Sequence, residues 1–373
     1  MSDASRDPTV SDDFVLDCDG HVIEPPKLWA EYTEKRFRNR IPRPARDENG
    51  NFGYIVDDRY IMRTASSLAA PPKTADGKLP AGGWDPEQRL RDMDSEGIDI
   101  AILYPTLSFF FPEIPDVELH AALCRAYNDW LADYCKADPG RLIGVALLPL
   151  DDVDASIREL ERTTHAYGFR GAFFRPNPYA GRAIQNPCYE PFWSCAESLG
   201  VPITVHEGIS DALPTLGRDR STNPVMLHLM SHPFEQMAAC AGLVLGGVLE
   251  RHPTLRFVFL ESGCGWLPYW LERMDGHWRT WSSHLPEVKV KPSDSFQRQC
   301  FVSMDPDDET APGVIEQVGD DVLVWASDYP HIDSPFPGAV KETLEVLSEV
   351  PAQSRRKLLG TNGLRLYGLD APR

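Results

Sequence analysis

The sequence lacks the features that mark membrane proteins, secreted disulfide scaffolds and nucleic-acid binders. No run approaches the roughly 18 apolar residues that a membrane span needs, and the N-terminal MSDASRDPTVSDD is too polar and acidic for a signal peptide. The eight cysteines form no CxxC pair, and no Gly-rich phosphate loop is evident. Basic residues number 37 against 56 acidic ones, for a net charge of −19, which disfavours nucleic acid and anionic membranes. We expect a cytoplasmic protein with reduced thiols.

Short apolar runs alternate with segments of helical spacing along most of the chain. Runs such as IDIAILYP and RFVFLES are continuously apolar, which is typical of parallel strands covered on both faces. The predicted strands are Phe14–Asp19, Ile98–Tyr104, Leu142–Leu148, Gly171–Phe174, Val201–His206, Phe257–Glu261, Phe301–Met304 and Val322–Ser327. Predicted helices between them include Val117–Lys136, Ala155–Ala166, Phe234–Glu250 and Trp266–Trp281. Eight strands alternating with helices predict an α/β fold, a single (β/α)₈ TIM barrel.

Two segments depart from this pattern. Residues 1–12 are predicted to be a disordered lead-in to a domain that spans 13–373. Residues 40–85, between the first two strands, are rich in Pro, Asp, Gly and Ala and lack helical periodicity. A loop of this length is usually a functional lid or a small insertion. A surface excursion without a role is the alternative.

Polar residues stand where the apolar strands end. Asp19 and His21 close the first strand, His206 closes the fifth, Glu261 the sixth, and Asp328 follows the eighth with His331 three residues on. Because the C-terminal ends of barrel strands share one face, these side chains are expected to converge. A divalent cation would offset the cost of burying such charges. Mixed imidazole and carboxylate ligands suit Zn²⁺, Mn²⁺ or Fe²⁺ better than Mg²⁺ or Ca²⁺.

These residues carry a family resemblance that covers about residues 17–369. The chain resembles the amidohydrolase-related TIM-barrel metal enzymes, in the branch of the aminocarboxymuconate and resorcylate decarboxylases. That branch ends its first strand in His-x-His or Glu-x-His, matched here by Asp19 and His21. Its histidine on strand five and its aspartate on strand eight are matched by His206 and Asp328, and RLRDMDSEGIDIAILYPT resembles its second-strand region. The resemblance implies a metal site, with Asp328 and His331 as catalytic candidates, and a homodimer.

One departure from the branch directs the functional prediction. Its decarboxylases carry an acid/base histidine at the end of strand six, where this chain has Glu261. Beside a cation the pKa of a carboxyl falls, which favours a ligand over a proton shuttle. Glu24, Glu207 and His232, the last placed just before a predicted helix, are further candidate donors.

The sequence therefore resembles the TIM-barrel non-haem diiron monooxygenases related to this family. On this prediction Asp19, His21, His206, His232, Glu261 and Asp328 would bind two Fe ions. Oxygen and an electron donor would hydroxylate a hydrophobic carboxylic acid or its CoA ester. The alternatives are a hydrolase or a decarboxylase with one Zn or Mn ion, and a non-enzymatic binding protein on the same scaffold is disfavoured because the ligand set is intact.

Aromatic residues near the predicted strand ends suggest the substrate pocket. Phe109, Phe110 and Phe111 follow the second strand, and Trp84 lies near the end of the long insertion. Trp266 follows the sixth strand. An apolar wall over the metal favours a hydrophobic small molecule. Helical spacing in Trp266–Trp281 also fits a core or an oligomer contact.

Overall fold

The computed structural model describes residues 13–62, 80–332 and 334–370. Within them, eleven strands occur: β1 (Leu16–His21), β2 (Arg43–Arg46), β3 (Phe52–Val56), β4 (Arg59–Ile61), β5 (Ile100–Tyr104), β6 (Leu142–Ala146), β7 (Gly171–Phe174), β8 (Ile203–His206), β9 (Phe257–Leu260), β10 (Cys300–Met304) and β11 (Leu323–Trp325). The eight strands β1 and β5–β11 are parallel neighbours in that order and form a nearly closed barrel. Each predicted strand coincides with one of them, so the predicted TIM barrel is confirmed.

Helices cover the outside of the barrel. They are α1 (Pro26–Tyr32), α2 (Pro86–Glu96), α3 (Val117–Cys135), α4 (Val153–Tyr167), α5 (Glu190–Leu199), α6 (Pro224–Leu245), α7 (Val248–Arg251), α8 (Leu267–Trp281), α9 (Pro292–Gln299), α10 (Ala311–Val318), α11 (Ala339–Val346), α12 (Ala352–Arg356) and α13 (Asn362–Tyr367). A 3₁₀ helix spans Leu107–Glu113 after β5. No helix in the described part of the chain is long and apolar enough to cross a membrane.

Local signals account for several helix starts. Asp85, Asp116 and Asp152 cap α2, α3 and α4 by accepting hydrogen bonds from backbone N–H groups of the first turn. Helix α6 differs from the prediction, because it begins at Pro224 rather than Phe234 and so includes His232. Asn223 caps this earlier start. Pro233, which usually interrupts a helix, is accommodated inside it.

The barrel closes between β11 and β1 through polar groups. The backbone N–H of Asp328 donates to Asp19 O at 2.9 Å. Asp17 accepts from Ser327 N at 2.9 Å and from Ser327 Oγ at 2.6 Å. The register of β1 shifts between Asp17 and Gly20, so Asp17 joins the seam while Asp19 remains free for the centre. Closure of the barrel thus brings Asp19 and Asp328 together.

The long insertion contains a small antiparallel sheet in the order β2–β3–β4. Arg40 joins this region to α3, because its guanidinium donates to both carboxylate oxygens of Asp57 and to Asp116 Oδ2 at 2.7 Å. The predicted disordered residues 1–12 lie outside the described residues, as do residues 63–79 of the insertion. The lid role of residues 40–85 stays a prediction.

Candidate metal centre

Asp19, His21, His206 and Asp328, the central cluster, converge at the C-terminal end of the barrel. His21 Nε2 lies 3.3 Å from Asp19 Oδ1 and 3.1 Å from Asp328 Oδ1. His206 Nε2 lies 3.2 Å from Asp19 Oδ2. All four residues are buried, and His21 and His206 are fully so. As predicted from the shared face of the strand ends, residues that are some 300 positions apart in the chain meet here.

Hydrogen bonds fix which atoms of the two histidines face the centre. His21 Nδ1 lies 2.7 Å from Pro105 O, and His206 Nδ1 lies 2.6 Å from Glu207 O. A carbonyl oxygen only accepts, so each Nδ1 carries the proton and each Nε2 presents a lone pair. This is the arrangement in which metal-binding histidines are usually held.

The central cluster has buried polar atoms without hydrogen-bond partners. They are Asp19 Oδ1 and Oδ2, His21 Nε2, His206 Nε2 and Asp328 Oδ2. Buried polar groups are normally paired, so five such atoms in one place indicate a missing partner. A divalent cation bound by two imidazole nitrogens and two carboxylates would satisfy them together. The residues thus fit the metal that the sequence predicts.

The electrostatics of the cluster also call for positive charge. Burial lowers the pKa of His21, but the nearby carboxylates of Asp19 and Asp328 outweigh it and raise the pKa well above its ordinary value. Burial raises the pKa of Asp328, yet the nearby imidazoles of His331 and His21 hold it well below the usual range. The site therefore attracts a cation or protons.

A second group, the rim cluster, consists of His228, His232 and Glu261. Glu261 Oε2 lies 3.6 Å from His232 Nε2 and 3.5 Å from His206 Nε2, and Glu261 Oε1 lies 3.9 Å from His228 Nε2. Glu261 and Asp328 both have positive φ, 50° and 52°, a strained backbone state that is common at functional sites. The ligand roles predicted for Glu261 and His232 stay predictions.

Glu24 and Glu207, the two other candidate donors, contact other groups, although Glu207 Oε2 accepts no hydrogen bond. The Glu24 carboxylate accepts from the backbone N–H groups of Thr106, Leu107 and Ser108 and from Ser108 Oγ. It therefore holds the start of the 3₁₀ helix. Glu207 Oε2 lies 3.5 Å from Arg175 Nη2. The sequence argument counted both carboxylates as candidate donors.

His331, a predicted catalytic residue, lies beside the central cluster. Its Nδ1 is 2.8 Å from Asp328 Oδ1, and its Nε2 is 2.9 Å from Thr106 Oγ1. The His331 ring also stacks on His21 with a centroid separation of 4.0 Å. His331 thus connects Asp328 to the loop after β5.

The predicted aromatic residues occupy different positions. Phe109 packs against both central histidines, with its ring centroid 5.5 Å from that of His21 and 4.7 Å from that of His206. Phe110 is buried, and Phe111 packs instead on Trp29 and His120. Trp84 is 38% exposed beside Gly83, and Trp266 donates to Ser262 Oγ at 3.2 Å. Their role in substrate binding stays a prediction.

Several groups near the site were not predicted from the sequence. Arg175 and Asn177 follow β7, Asp305 follows β10, and Thr106 follows β5. All four follow the ends of barrel strands; Arg175, Asn177 and Thr106 are not typical metal ligands, whereas the Asp305 carboxylate was overlooked. Burial raises the pKa of Asp305 well above its usual value, as does repulsion by Asp308, Asp328, Glu261 and Asp19.

Residues 16–369 match the family described as Amidohydrolase, and the chain belongs to it. It is 30% identical to the γ-resorcylate decarboxylase of Rhizobium radiobacter over 304 residues, which cover 76% of this chain and 87% of that protein. It is 25% identical to the 2-amino-3-carboxymuconate-6-semialdehyde decarboxylase of Dictyostelium discoideum, covering 95% and 92% of the two chains.

A solved structure shows the same fold. The 5-carboxyvanillate decarboxylase from Novosphingobium aromaticivorans, complexed with manganese and 4-hydroxy-3-methoxy-5-nitrobenzoic acid, superposes with a TM-score of 0.72. It is 20% identical, over 99% of this chain and 100% of that one.

These relatives make the predicted diiron monooxygenase wrong. They are decarboxylases, and the solved structure holds manganese rather than iron. The O₂, electron donor and CoA-linked substrate that belonged to the monooxygenase prediction have no support from them. The donor count behind that prediction included Glu24 and Glu207, but Glu24 accepts hydrogen bonds from backbone N–H groups, and Glu207 lies beside Arg175 and Asn177.

Proposed function

We propose that this chain is a metal-dependent carboxy-lyase that removes CO₂ from an aromatic or conjugated carboxylic acid. The observation that carries the proposal is the convergence of unpartnered ligand atoms in the central cluster. Decarboxylases among relatives that match most of the chain support the choice of reaction. The reaction needs neither O₂ nor an electron donor.

One divalent cation, Mn²⁺ or Zn²⁺, would be held by Asp19, His21 Nε2, His206 Nε2 and Asp328 Oδ2. When bound, it supplies positive charge that holds a substrate oxygen and offsets negative charge developing on the substrate. Phe109, packed on both histidines, gives this centre an apolar wall suited to a flat ring. The buried surroundings keep competing water away from the reacting carbon.

Decarboxylation breaks the bond between the carboxylate and its neighbouring carbon. CO₂ leaves, and the electron pair of that bond stays on the carbon, which must take up a proton. We assign this proton to the Asp328–His331 pair, whose carboxylate and imidazole are 2.8 Å apart. Thr106 Oγ1, 2.9 Å from His331 Nε2, orients the ring.

His232 gives the rim cluster an imidazole where the sequence has lost the strand-six histidine. Its Nδ1 lies 3.2 Å from His228 O, so Nε2 faces Glu261 Oε2 at 3.6 Å. Held there, His232 is a second candidate imidazole for contact with the substrate.

The test is a decarboxylation assay with γ-resorcylate and other hydroxybenzoic acids, using protein loaded with Mn²⁺ or Zn²⁺. We expect CO₂ release and, in D₂O, one deuterium at the carbon that lost the carboxylate. His331→Gln should slow turnover by roughly 100-fold or more, the usual worth of a general acid, while metal content stays unchanged. Metal-loaded protein that releases no CO₂ from any of these acids would overturn the assignment.

Water activation is a second candidate, favoured by the carboxylate of Glu261. Burial raises its pKa, but the nearby imidazoles of His232 and His228 hold the pKa well below its usual value. The ionised carboxylate, 3.5 Å from His206 Nε2, would accept a hydrogen bond from water and orient it for ester, lactone or amide hydrolysis, while remaining a weak base. Hydrolysis of such substrates without CO₂ release would favour this candidate.

The expected homodimer belongs to the same proposal. Helix α6 exposes Val225, Met226, Leu229 and Phe234, an apolar surface that supports self-association. Light scattering after gel filtration measures the mass in solution. A mass of one chain at micromolar concentration would overturn the expectation.

A further inference from the structure

Arg175, directly after β7, is fully buried although its guanidinium keeps its charge. A buried cation is costly unless its N–H groups are paired. Nε and Nη2 donate to Asn177 Oδ1 at 3.2 and 3.0 Å, and Nη2 also donates to Gly208 O. Arg175 therefore links the loops that follow β7 and β8.

The same guanidinium holds the residue that orients His206. Arg175 Nη2 lies 3.5 Å from Glu207 Oε2, and it binds the carbonyl of the next residue, Gly208. The peptide between these contacts carries Glu207 O, which accepts the hydrogen bond from His206 Nδ1 at 2.6 Å. The orientation of His206, and so of its unpaired Nε2, thus depends on the carbonyl of Glu207. Arg175 contacts the groups on both sides of that carbonyl.

Arg175 also reaches the aromatic wall of the centre. Its Nη1 lies 3.5 Å from Phe109 O, and the Phe109 ring packs on His206 at 4.7 Å. Gly208 permits this close approach, because a Cβ there would lie 2.9 Å from Arg175 Nη1 and 3.2 Å from Phe109 Cδ2. One side chain therefore contacts the backbone supports of both His206 and Phe109.

We propose that Arg175 is a positioning residue for the metal centre, fixing His206 Nε2 and the Phe109 ring in the direction that a bound cation requires. The planar guanidinium suits this role because it bonds in several directions within one plane. The inference rests on the metal centre of the proposed function but not on the reaction assigned to it.

The test measures Mn²⁺ affinity from the electron paramagnetic resonance signal of the free ion, at a temperature well below unfolding. Arg175→Met and Arg175→Lys are expected to weaken binding by between about tenfold and 100-fold, the usual worth of a group that orients a ligand. Lysine keeps the charge but not the planar set of donors. Asn177→Ala, a milder change that loosens the same guanidinium, should weaken binding by a smaller factor and serves if the Arg175 variants do not fold.

Arg251→Met is the matched control. Arg251 bonds Glu190 and Glu287 away from the centre, so its loss should lower the unfolding temperature without changing Mn²⁺ affinity. Wild-type affinity in folded Arg175→Met or Arg175→Lys would overturn the positioning role. Failure of the wild-type protein to bind Mn²⁺, Zn²⁺ or any other divalent cation would instead overturn the metal centre.

Discussion

Two clusters with a buried histidine beside carboxylates lie in different parts of the barrel and differ in whether the histidine nitrogens are paired. In the central cluster, at the C-terminal end, His21 Nε2 and His206 Nε2 have no hydrogen-bond partner. The base cluster consists of His252, Glu190, Glu197 and Arg251, and His252 lies in the loop before β9. There, His252 Nε2 is 2.9 Å from Glu190 Oε2, and His252 Nδ1 is 3.2 Å from Glu197 Oε2.

This difference suggests that the central cluster binds a ligand, whereas the base cluster stabilises the fold. In the base cluster every imidazole nitrogen faces a carboxylate, and Arg251 adds charge that balances Glu190. In the central cluster the same residue types leave five buried atoms without hydrogen-bond partners, a concentration that indicates a bound ligand. The fully paired base cluster stabilises the barrel, whereas the unpaired central cluster lies at the C-terminal face, where barrel enzymes carry out their chemistry.

The same substitution in both clusters gives the strongest test of this difference in role. His206→Gln should weaken divalent-metal binding by more than about 100-fold, since even groups that only orient a ligand are worth 10 to 100-fold. His252→Gln should leave metal affinity unchanged but lower the free energy of unfolding by about 2 kcal/mol. That is less than the loss for a fully buried pair, because the Glu190 and Glu197 side chains are 29% and 21% exposed.

Metal titration and urea unfolding of both variants, each in metal-free buffer and with added Mn²⁺, check this prediction. Wild-type protein and His252→Gln should both be stabilised by the metal, because a ligand that binds only the folded state raises its stability. His206→Gln should not respond. Metal loss in His252→Gln, or a full metal response in His206→Gln, would remove the distinction between the clusters.

The sequence predicted the barrel and the central cluster for one physical reason. Polar residues that end apolar strands are informative, because a parallel barrel places all such ends on one face. Asp19, His206 and Asp328 needed no further information. Burial and backbone partners were not predictable, since they depend on how loops pack. Glu24 was considered a candidate ligand because these contacts are not visible in the sequence, although its carboxylate accepts hydrogen bonds from backbone N–H groups at the start of the 3₁₀ helix.

Helix α6 shows a second kind of failure. The predicted helix began at Phe234, which placed His232 just before it. Asn223 caps a helix that starts ten residues earlier and continues across Pro233, and the four-residue spacing of His228 and His232 then stacks their rings 3.9 Å apart. A capping residue that the prediction did not use thus decides where the rim cluster lies.

Lowering the pH should affect the two clusters differently, without any substitution. Burial lowers the pKa of His206, but the attraction of the nearby Asp19 carboxylate raises it above its ordinary 6.5, as the nearby carboxylates do for His21. Protons are therefore held tightly by the metal-free centre, and metal affinity falls as the pH is lowered. For Glu190 and Glu197, burial raises the pKa, but hydrogen bonds from Arg251, Thr254 and His252 lower it below 4.5.

A lowered carboxyl pKa contributes stability that is present above the unfolded-state value and is lost as the pH falls through the folded-state value. Metal should therefore be released as the pH falls below the raised pKa values of His21 and His206, while the protein stays folded down to about pH 4.5. Dialysis at pH 5, followed by elemental analysis and circular dichroism, measures both properties, and return to pH 7.5 with metal should restore the centre. Unfolding and metal release at the same pH would contradict the independence of the clusters.

The smallest expected effect concerns Glu261, which borders the central cluster without completing it. Glu261→Gln keeps the shape of the side chain but removes its charge, so His232 loses its ionic partner. We expect metal content to stay at about one ion per chain and turnover to fall by on the order of tenfold. Glu197→Gln, the same change in the base cluster, should alter neither quantity.

Elemental analysis of the two variants beside the wild-type protein decides what Glu261 does. Its nearest nitrogens belong to His206, His232 and His228, and imidazoles can balance a carboxylate without any metal. If Glu261→Gln retained its metal but lost turnover, the carboxylate would act through His232, and the rim cluster would serve substrate rather than metal. If metal content instead fell from two ions per chain to one, Glu261 would be a ligand. The rim cluster would then bind a metal ion, as the central cluster does.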